Sequence, residues 1–203
     1  MNLSVQKQKR QQEILSTIRM LQFATQRHLM CVHDMGGMRN AHRILKEMRH
    51  YTNVTYYKKE YVYYLNKDGR ALFGDKQRAT PVSKLAHCML RNEAWLHCHC
   101  PDDWTIEPEL RYTKNGKSMR IIPDATFKKD GALQCVEIDR TQKMIKNEEK
   151  FKRYAEYSEL YKQKYNKIPI LHFFTITQYR KQRLEQLADK YKVYTIVTLI
   201  PEI

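Results

Sequence analysis

Apolar residues recur at helical spacing at the start of the chain and at strand-like spacing further on. Ile14, Leu15, Ile18 and Leu21 repeat at intervals that predict an amphipathic helix. A second short helix is predicted with Thr25 as its N-cap, and a third follows Gly36-Gly37. These helices and two subsequent strands are predicted over residues 6–22, 26–33, 38–50, 54–57 and 61–65.

The second half of the chain changes to longer apolar runs alternating with charged helical stretches. The run at 169–177 is nearly continuous, which is typical of a strand buried on both faces. The predicted order is a helix at 82–96, strands at 105–112, 119–127 and 132–138, a helix at 143–164, a strand at 169–177, a helix at 178–191 and a strand at 193–199. This order predicts a mixed sheet in an α/β (α+β) fold.

The polar segment at residues 74–81 ends in a proline and is the one credible linker. It divides the chain into predicted domains at residues 1–77 and 81–203. Three helices followed by a β-hairpin are typical of a winged helix-turn-helix, so we expect the first domain to have that fold.

Basic residues outnumber acidic ones, 37 Lys and Arg against 22 Asp and Glu, for a net charge of +15. Such an imbalance favours nucleic acid or an anionic membrane surface as the partner. Residues 1–80 carry 15 basic and 6 acidic side chains, and residues 81–203 carry 22 and 16. The first domain is therefore more basic per residue, which indicates where nucleic acid binds.

Two further features of the composition bear on location. There is no apolar run of eighteen residues and no signal-peptide pattern, so a soluble, cytoplasmic protein without a membrane role is expected. Five cysteines, an odd number, favour free thiols over a disulfide framework.

The predicted third helix has a basic exposed face, and the wing has a basic tip. We expect the helix to enter the major groove and the wing to contact phosphates of double-stranded DNA. The predicted DNA-binding residues are Arg39, Asn40, Arg43, Lys46 and Arg49 on the helix, and Lys58 and Lys59 on the wing. The alternative is that these cations form an ordinary solvated surface.

Two strand-like runs in the second domain carry acidic residues. Residues 121–127 contain Asp124 and residues 136–140 contain Glu137, with Asp130-Gly131 between them as a hairpin signal. The hairpin would bring Asp124 near Glu137 at one end of a sheet. Two carboxylates there would provide hard oxygen ligands for Mg²⁺ or Mn²⁺.

These motifs resemble two known groups of proteins. The strand order and the placement of Asp124 and Glu137 resemble the PD-(D/E)XK nuclease superfamily. The whole pattern resembles the replication-relaxation family of plasmids and other mobile elements of Gram-positive bacteria, which is linked to plasmid replication and DNA relaxation. The resemblance rests on a winged helix followed by Pro123-Asp124-Ala125, by the run from Val136 to Thr141, and by Lys150 and Tyr154 on a helix.

The resemblance implies an active-site arrangement from which this chain departs. Asp124 and Glu137 match the metal-binding acids, and Glu109 is the candidate for the further acid that the superfamily often carries on or near its first helix. The superfamily's lysine, two residues after the Glu, is replaced by Asp139. A lysine of the following helix would have to substitute, the candidates being Lys146, Lys150 and Lys152.

If no helix lysine takes the place of the missing one, the fold would be a scaffold without catalysis. Glu137, Ile138, Asp139 and Arg140 would then form a structural ion-pair network. The first functional hypothesis is therefore a DNA-binding protein of a plasmid, phage or mobile element. It would act in replication or relaxation control or in transcription, as a homodimer or with a replication or transcription protein, and its nuclease-like domain would be degenerate. The alternative is a metal-dependent, site-specific DNA endonuclease or nickase with Asp124, Glu137, Asp139 and Lys150 in its site.

The cluster His97-Cys98-His99-Cys100 does not have the spacing of a zinc site. Structural zinc takes paired ligands such as CxxC, whereas alternate residues on a strand point to opposite faces. We interpret these residues as packing side chains at a sheet edge.

Overall fold

The computed structural model describes residues 3–75 and 79–200 of the chain. Helices and strands alternate within these residues, and the sheets contain both parallel and antiparallel pairs. The predicted α/β class is thereby confirmed. The chain divides into two units, Met1–Asn92 and Glu93–Ile203.

The first unit contains three helices ahead of a β-hairpin. In chain order its elements are α1 (Leu3–Leu21), β1 (Ala24–Thr25), α2 (Gln26–Met30), α3 (Met38–Glu47), β2 (Thr52–Tyr57), β3 (Glu60–Leu65) and α4 (Lys67–Ala71). The three strands form an antiparallel sheet in the order β1-β3-β2. This is the element order on which the winged-helix prediction rests.

Local sequence signals explain much of this unit. Ile14, Leu15, Ile18 and Leu21 are buried on one face of α1, as their spacing predicts. Thr25 caps α2 by accepting a hydrogen bond from the backbone N–H of His28 at 3.2 Å. Strand β1 was not predicted, because two residues are too few to show a period.

The third helix is shorter than predicted and ends at Glu47 rather than near residue 50. The backbone N–H of Met48 bonds to Leu45 O at 3.2 Å and that of Arg49 bonds to Lys46 O at 3.3 Å. Tyr51 N–H then bonds back to Met48 O at 2.9 Å. This turn redirects the chain into β2. Arg49 consequently lies beyond the helix.

The second unit is built around a five-stranded sheet. Its elements are the end of α5 (Leu85–His97), β4 (Thr105–Ile106), β5 (Leu110–Lys114), β6 (Lys117–Ile121), β7 (Ala125–Lys129), β8 (Ala132–Asp139), α6 (Met144–Tyr165), β9 (Ile170–Thr175), α7 (Gln178–Tyr191) and β10 (Thr195–Leu199). The sheet order is β10-β9-β8-β7-β4. Strand β9 is parallel to β8 and β10, whereas β7 is antiparallel to β8 and β4.

Two long strands of the sequence prediction are wrong, because each is interrupted. The 105–112 strand is broken at Glu107, whose φ of +47° is incompatible with strand geometry. The 119–127 strand is broken around Pro123, which lacks the N–H that a strand needs. As a result β5 and β6 form a separate two-stranded hairpin rather than part of the main sheet.

The core of the second unit lies between the sheet and the helices α6 and α7. Phe151 of α6 stacks on Phe173 of β9 with ring centroids 5.1 Å apart, and Leu184 of α7 is buried in the same cluster. Strand β8 is buried over most of its length, as a central strand should be. Within the described ranges, none of the helices is long and apolar enough to cross a membrane.

The boundary between the two units falls within α5, and the part of this helix up to Asn92 belongs to the first unit. Arg91 donates to Gln22 Oε1 at 2.8 Å, and Asn92 donates to the backbone oxygens of Leu21 and Phe23. The predicted domains, 1–77 and 81–203, stay a prediction. Residues 76–78, at the predicted boundary, lie outside the described residues.

Gly69 is required by a close backbone contact, so Gly69→Ala should destabilise the first unit. A Cβ at this position would lie 2.2 Å from the carbonyl oxygen of Tyr51, an atom already bonded to Asn66 N–H at 3.0 Å. We expect the free energy of unfolding to fall by about 3 kcal/mol, the upper part of the range for overpacking. Chemical denaturation measures it.

The matched control is Gly37→Ala, since a Cβ there meets no atom within 4 Å. Gly37 is the N-cap of α3, so a loss of about 1 kcal/mol or less is expected. Equal stability losses for the two variants would contradict the steric explanation.

Candidate functional site

The hairpin of β7 and β8 places Asp124 opposite Glu137. Its turn is the two-residue Asp130-Gly131, with φ of +52° and +71°. Asp124 directly precedes β7, whose Ala125 pairs with Val136. The Oδ2 atom of Asp124 accepts a hydrogen bond from the backbone N–H of Ile138 at 2.7 Å.

Glu137 is almost entirely buried, at 1% exposure, and both of its carboxylate oxygens are engaged. Oε1 accepts a hydrogen bond from the Tyr154 hydroxyl at 2.7 Å, and Oε2 pairs with the ammonium of Lys150. Burial raises the pKa of Glu137 to about 7; Lys150 opposes the shift and Asp124 adds to it. The carboxylate is thus held by two side chains of α6.

Lys150 is the helix lysine that reaches the acidic pair. Its burial opposes its charge, but the carboxylates of Glu137 and Asp124 outweigh that effect and raise the pKa of Lys150. The other two candidates lie elsewhere. Lys146 pairs with Glu149 at 3.2 Å, and the Lys152 ammonium lies 6.0 Å from the centre of the Tyr191 ring.

Asp139, two residues after Glu137, is held in a different network. Arg180 of α7 donates to both carboxylate oxygens at 2.6 and 2.7 Å. Asn147 of α6 donates to Oδ1 at 2.9 Å, and the Thr175 hydroxyl of β9 donates to the backbone oxygen of Asp139 at 2.9 Å. Arg180, which the sequence hypothesis did not name, therefore pairs with Asp139 through both carboxylate oxygens.

Sequence reasoning missed Arg180, Asn147 and Thr175 as members of this network. Arg180 is 41 residues from Asp139 along the chain. Its position after the Thr177 N-cap of α7 marks a helix start but carries no signal for a partner so distant. These contacts depend on tertiary structure.

Glu109 forms ion pairs on the β5–β6 hairpin. Arg111 donates to its Oε2 at 2.7 and 3.0 Å, and Arg120 donates to its Oε1 at 3.1 Å. These bonds lower the pKa of Glu109. Across residues 3–75 and 79–200, no group of three or more His, Cys, Asp or Glu side chains could hold a metal ion.

The predicted DNA-binding residues of the first unit lie on and after α3. Arg39, Arg43 and Lys46 are exposed on the helix, whereas Asn40 is half-buried and donates to Met35 O at 2.9 Å. Arg43 donates to Asn40 at 2.8 Å and to Glu47 at 2.7 Å. The helix therefore presents three cations to solvent.

The tip of the β2–β3 hairpin consists of Lys58 and Lys59, whose φ values are +44° and +67°. Both are exposed, and the Lys58 ammonium lies 5.6 Å from the centre of the Tyr57 ring. A cavity of about 200 Å³ separates this hairpin from α3. Its lining residues are His42, Lys46, Arg49, Val54, Tyr61 and Tyr63.

The His97–Cys100 cluster lies at a helix end and in a turn rather than on a strand, and the His97 ring packs against Phe174 of β9 with centroids 5.5 Å apart. His97 ends α5, and His99 and Cys100 follow with φ of +64° and +53° in a turn. Burial raises the pKa of the Cys98 thiol to about 11. None of the five cysteines, all of which lie in the described residues, forms a disulfide.

Lys150→Met should destabilise the protein in a pH-dependent way, because it leaves the buried Glu137 carboxylate without its cation. Lys150 keeps 29% of its side chain exposed, so we expect a loss of about 2–4 kcal/mol rather than the full cost of a broken buried pair. The pKa of Glu137 already exceeds its ordinary 4.5. The folded state therefore binds the extra proton, and stability falls as pH rises from about 4.5 to 7.

Removing Lys150 raises that pKa further, so the loss should be larger at about pH 8 than at about pH 5. Denaturation at both pH values measures this difference. Lys146→Met, on the same helix and beside the exposed Glu149, is the control and should cost less than about 0.5 kcal/mol. A loss for Lys150→Met that does not change with pH would contradict the assigned coupling.

Comparisons with known proteins place the chain in a family. Among solved structures, the crystal structure of protein VC1899 from Vibrio cholerae matches with 10% sequence identity and a TM-score of 0.36. The match covers 92% of this chain and 47% of that chain, so this chain spans about half the length of the matched structure. A search of curated proteins found no match.

A family model described as Replication-relaxation matches residues 15–171. The matched range contains α3, the β2–β3 hairpin and the Asp124, Glu137, Asp139 and Lys150 positions. The chain belongs to the replication-relaxation family.

Proposed function

We propose that this protein binds double-stranded DNA through a winged helix in its first unit and does not cleave it. It would act on a plasmid, phage or other mobile element, in replication or relaxation control or in transcription. The observation that carries the proposal is the exposed basic face of α3 beside a hairpin with a basic tip.

The chemistry of this surface suits DNA. Arg39 and Arg43 have the planar guanidinium groups that read guanine edges in the major groove, and an α-helix fits that groove. Lys58 and Lys59 at the hairpin tip suit phosphate contacts, which position a protein without reading sequence. Lys46 and Arg49 line the cavity between α3 and the hairpin, and their charges add positive potential to the same surface.

Family membership supports the biological setting. The family description, Replication-relaxation, favours a role in plasmid or mobile-element replication or relaxation over an unrelated metabolic role. Two-fold DNA sites are common for helix-turn-helix proteins, so a homodimer is part of the proposal. The proposal also includes a replication or transcription protein as a further partner.

The engagement of the acids supports the proposal that the protein does not cleave DNA. Asp139 stands at the position of the superfamily's lysine and is fully buried against Arg180. Glu137 uses one oxygen for Lys150 and the other for Tyr154. Glu109, the further acid, is paired with arginines. This arrangement does not fit a bound Mg²⁺ or Mn²⁺, which needs several open oxygen ligands.

The second candidate function is a metal-dependent DNA endonuclease or nickase. One observation favours it: Lys150 reaches Glu137 from the following helix, as it would if it replaced the missing lysine. Mg²⁺ or Mn²⁺ would polarise the phosphate and activate water. Glu137 would first have to exchange Lys150 or Tyr154 for the ion, and Asp124 would have to share it.

Arg39→Ala and Arg43→Ala should each weaken binding to the protein's own DNA site by roughly 1–3 kcal/mol, because each would remove a contact to a base edge. Arg43 must exchange Glu47 and Asn40 for DNA, so its effect should lie nearer the lower value. Sites selected from a random duplex pool, followed by titration of the variants, provide the measurement.

The charge-matched control is Lys9→Ala on α1, whose side chain is 77% exposed. It should leave affinity for the selected site nearly unchanged. Should both arginine variants bind as the wild type does, α3 would not be the recognition helix.

Supercoiled plasmid should stay intact when incubated with the protein and Mg²⁺ or Mn²⁺, because the acids are already neutralised by Lys150 and Arg180. A shifted band on a native gel should appear instead. Nicked or linear product that disappears both with EDTA and in Asp124→Ala would establish the nuclease and overturn this part of the proposal. Cleavage persisting in the Asp124→Ala protein would indicate a contaminant.

A further inference from the structure

The β5–β6 hairpin has one apolar face and one polar face. Leu110, Tyr112, Met119 and Ile121 pack against the core of the second unit. Because side chains alternate along a strand, the residues between them face away from that core. The outward residues in the interior of the hairpin are Arg111, Thr113, Ser118 and Arg120, and all four are exposed.

The register of this hairpin places like charges directly opposite each other. Arg111 pairs with Arg120 across the two strands, and Lys114 pairs with Lys117 at the turn end. Two pairs lie between them, Tyr112 with Met119 and Thr113 with Ser118. Like charges in opposed positions destabilise a hairpin. Glu109 bridges the first of these pairs within the fold, and a bound anion would stabilise the same arrangement further.

The nearby acids only partly neutralise these cations. Glu109 is shared between Arg111 and Arg120, and Glu156 of α6 pairs with Lys114 at 2.6 Å. Despite their common partner, the side chains of Arg111 and Arg120 remain 74% and 70% exposed. One carboxylate between two guanidinium groups leaves an excess positive charge on the outward face.

We propose that the outward face of the β5–β6 hairpin binds the phosphate backbone of double-stranded DNA. The proposal deepens the DNA-binding function proposed above and rests on it, adding a contact from the second unit. Guanidinium and hydroxyl groups are the common side-chain donors to phosphate oxygens. No large apolar side chain stands among the four outward residues, so this face lacks the anchors that a protein partner would bury.

Glu109 acts on this face as a competitor of phosphate. Exposed ion pairs contribute little to stability, so Arg111 and Arg120 exchange the carboxylate for a phosphate at small cost. The negative charge of Glu109 nevertheless opposes an approaching phosphate. Its removal should strengthen DNA binding, which is the opposite of what loss of a metal ligand or of a structural residue would do.

The test is fluorescence anisotropy of the full chain with a short labelled duplex of mixed sequence over a series of salt concentrations. Four proteins are compared: the wild type, Arg111→Gln with Arg120→Gln, Glu109→Gln, and Lys181→Gln with Arg183→Gln. The last pair removes two cations from α7 of the same unit and is the charge-matched control. Thermal melting checks that each variant is folded.

The hairpin double variant should lose affinity on the order of tenfold per lost charge-assisted contact. Its slope of log affinity against log salt should become shallower by about 2, close to one per phosphate contact. Glu109→Gln should bind more tightly than the wild type, and the α7 control should change little. Together these results would support the proposal.

Other outcomes would overturn it in distinguishable ways. Unchanged duplex affinity in the hairpin variant, or an equal loss in the α7 control, removes the hairpin contact and leaves the winged-helix proposal intact. Weaker binding by Glu109→Gln also contradicts it. A wild-type protein that binds no duplex at all would end both proposals.

Discussion

A fully buried carboxylate, Asp139, is the constraint on which the second unit depends. Moving a carboxylate out of water costs several kcal/mol unless other groups replace its hydration. Arg180 of α7, Asn147 of α6 and Thr175 of β9 together do so at the carboxyl end of β8. Because these partners come from three different elements, one charge fixes where both helices and the neighbouring strand meet the central strand. The apolar core alone, being non-directional, would not specify these positions so closely.

The second buried acid of β8, Glu137, is also stabilised by a cation from a helix. Glu137 and Asp139 are two residues apart and so share a face of β8, and each is matched by a cation from a following helix, Lys150 or Arg180. In a metal-dependent nuclease, carboxylates at such an edge stay open to the ion. Here side-chain cations supply the positive charge that the ion would otherwise supply. The fold can therefore retain buried acids without a metal, which is why we favour binding over cleavage.

Features with local causes could be read from the sequence, and features that depend on distant residues could not. The apolar period of α1, the Thr25 cap and the Asp130-Gly131 turn are set by neighbours a few residues away. Lys150 was one of three candidate lysines, because only the packing of α6 decides which of them reaches β8. Arg180 had no local signal at all. The separate β5–β6 hairpin was hidden because the apolar alternation continues through Pro123, although the hydrogen bonding does not.

The exposed positive charge of the two units has different physical origins. In the first unit, α3 is amphipathic, and its cations are exposed because the opposite face is core. In the second unit, cations and acids are nearly balanced, and many of the cations are paired, as Lys190 is with Glu148. An excess on the β5–β6 hairpin is therefore informative in a way that the overall charge is not. This excess remains although Glu109 is shared between the opposed Arg111 and Arg120. A charge retained against its own folding cost is better explained by what it binds than by composition.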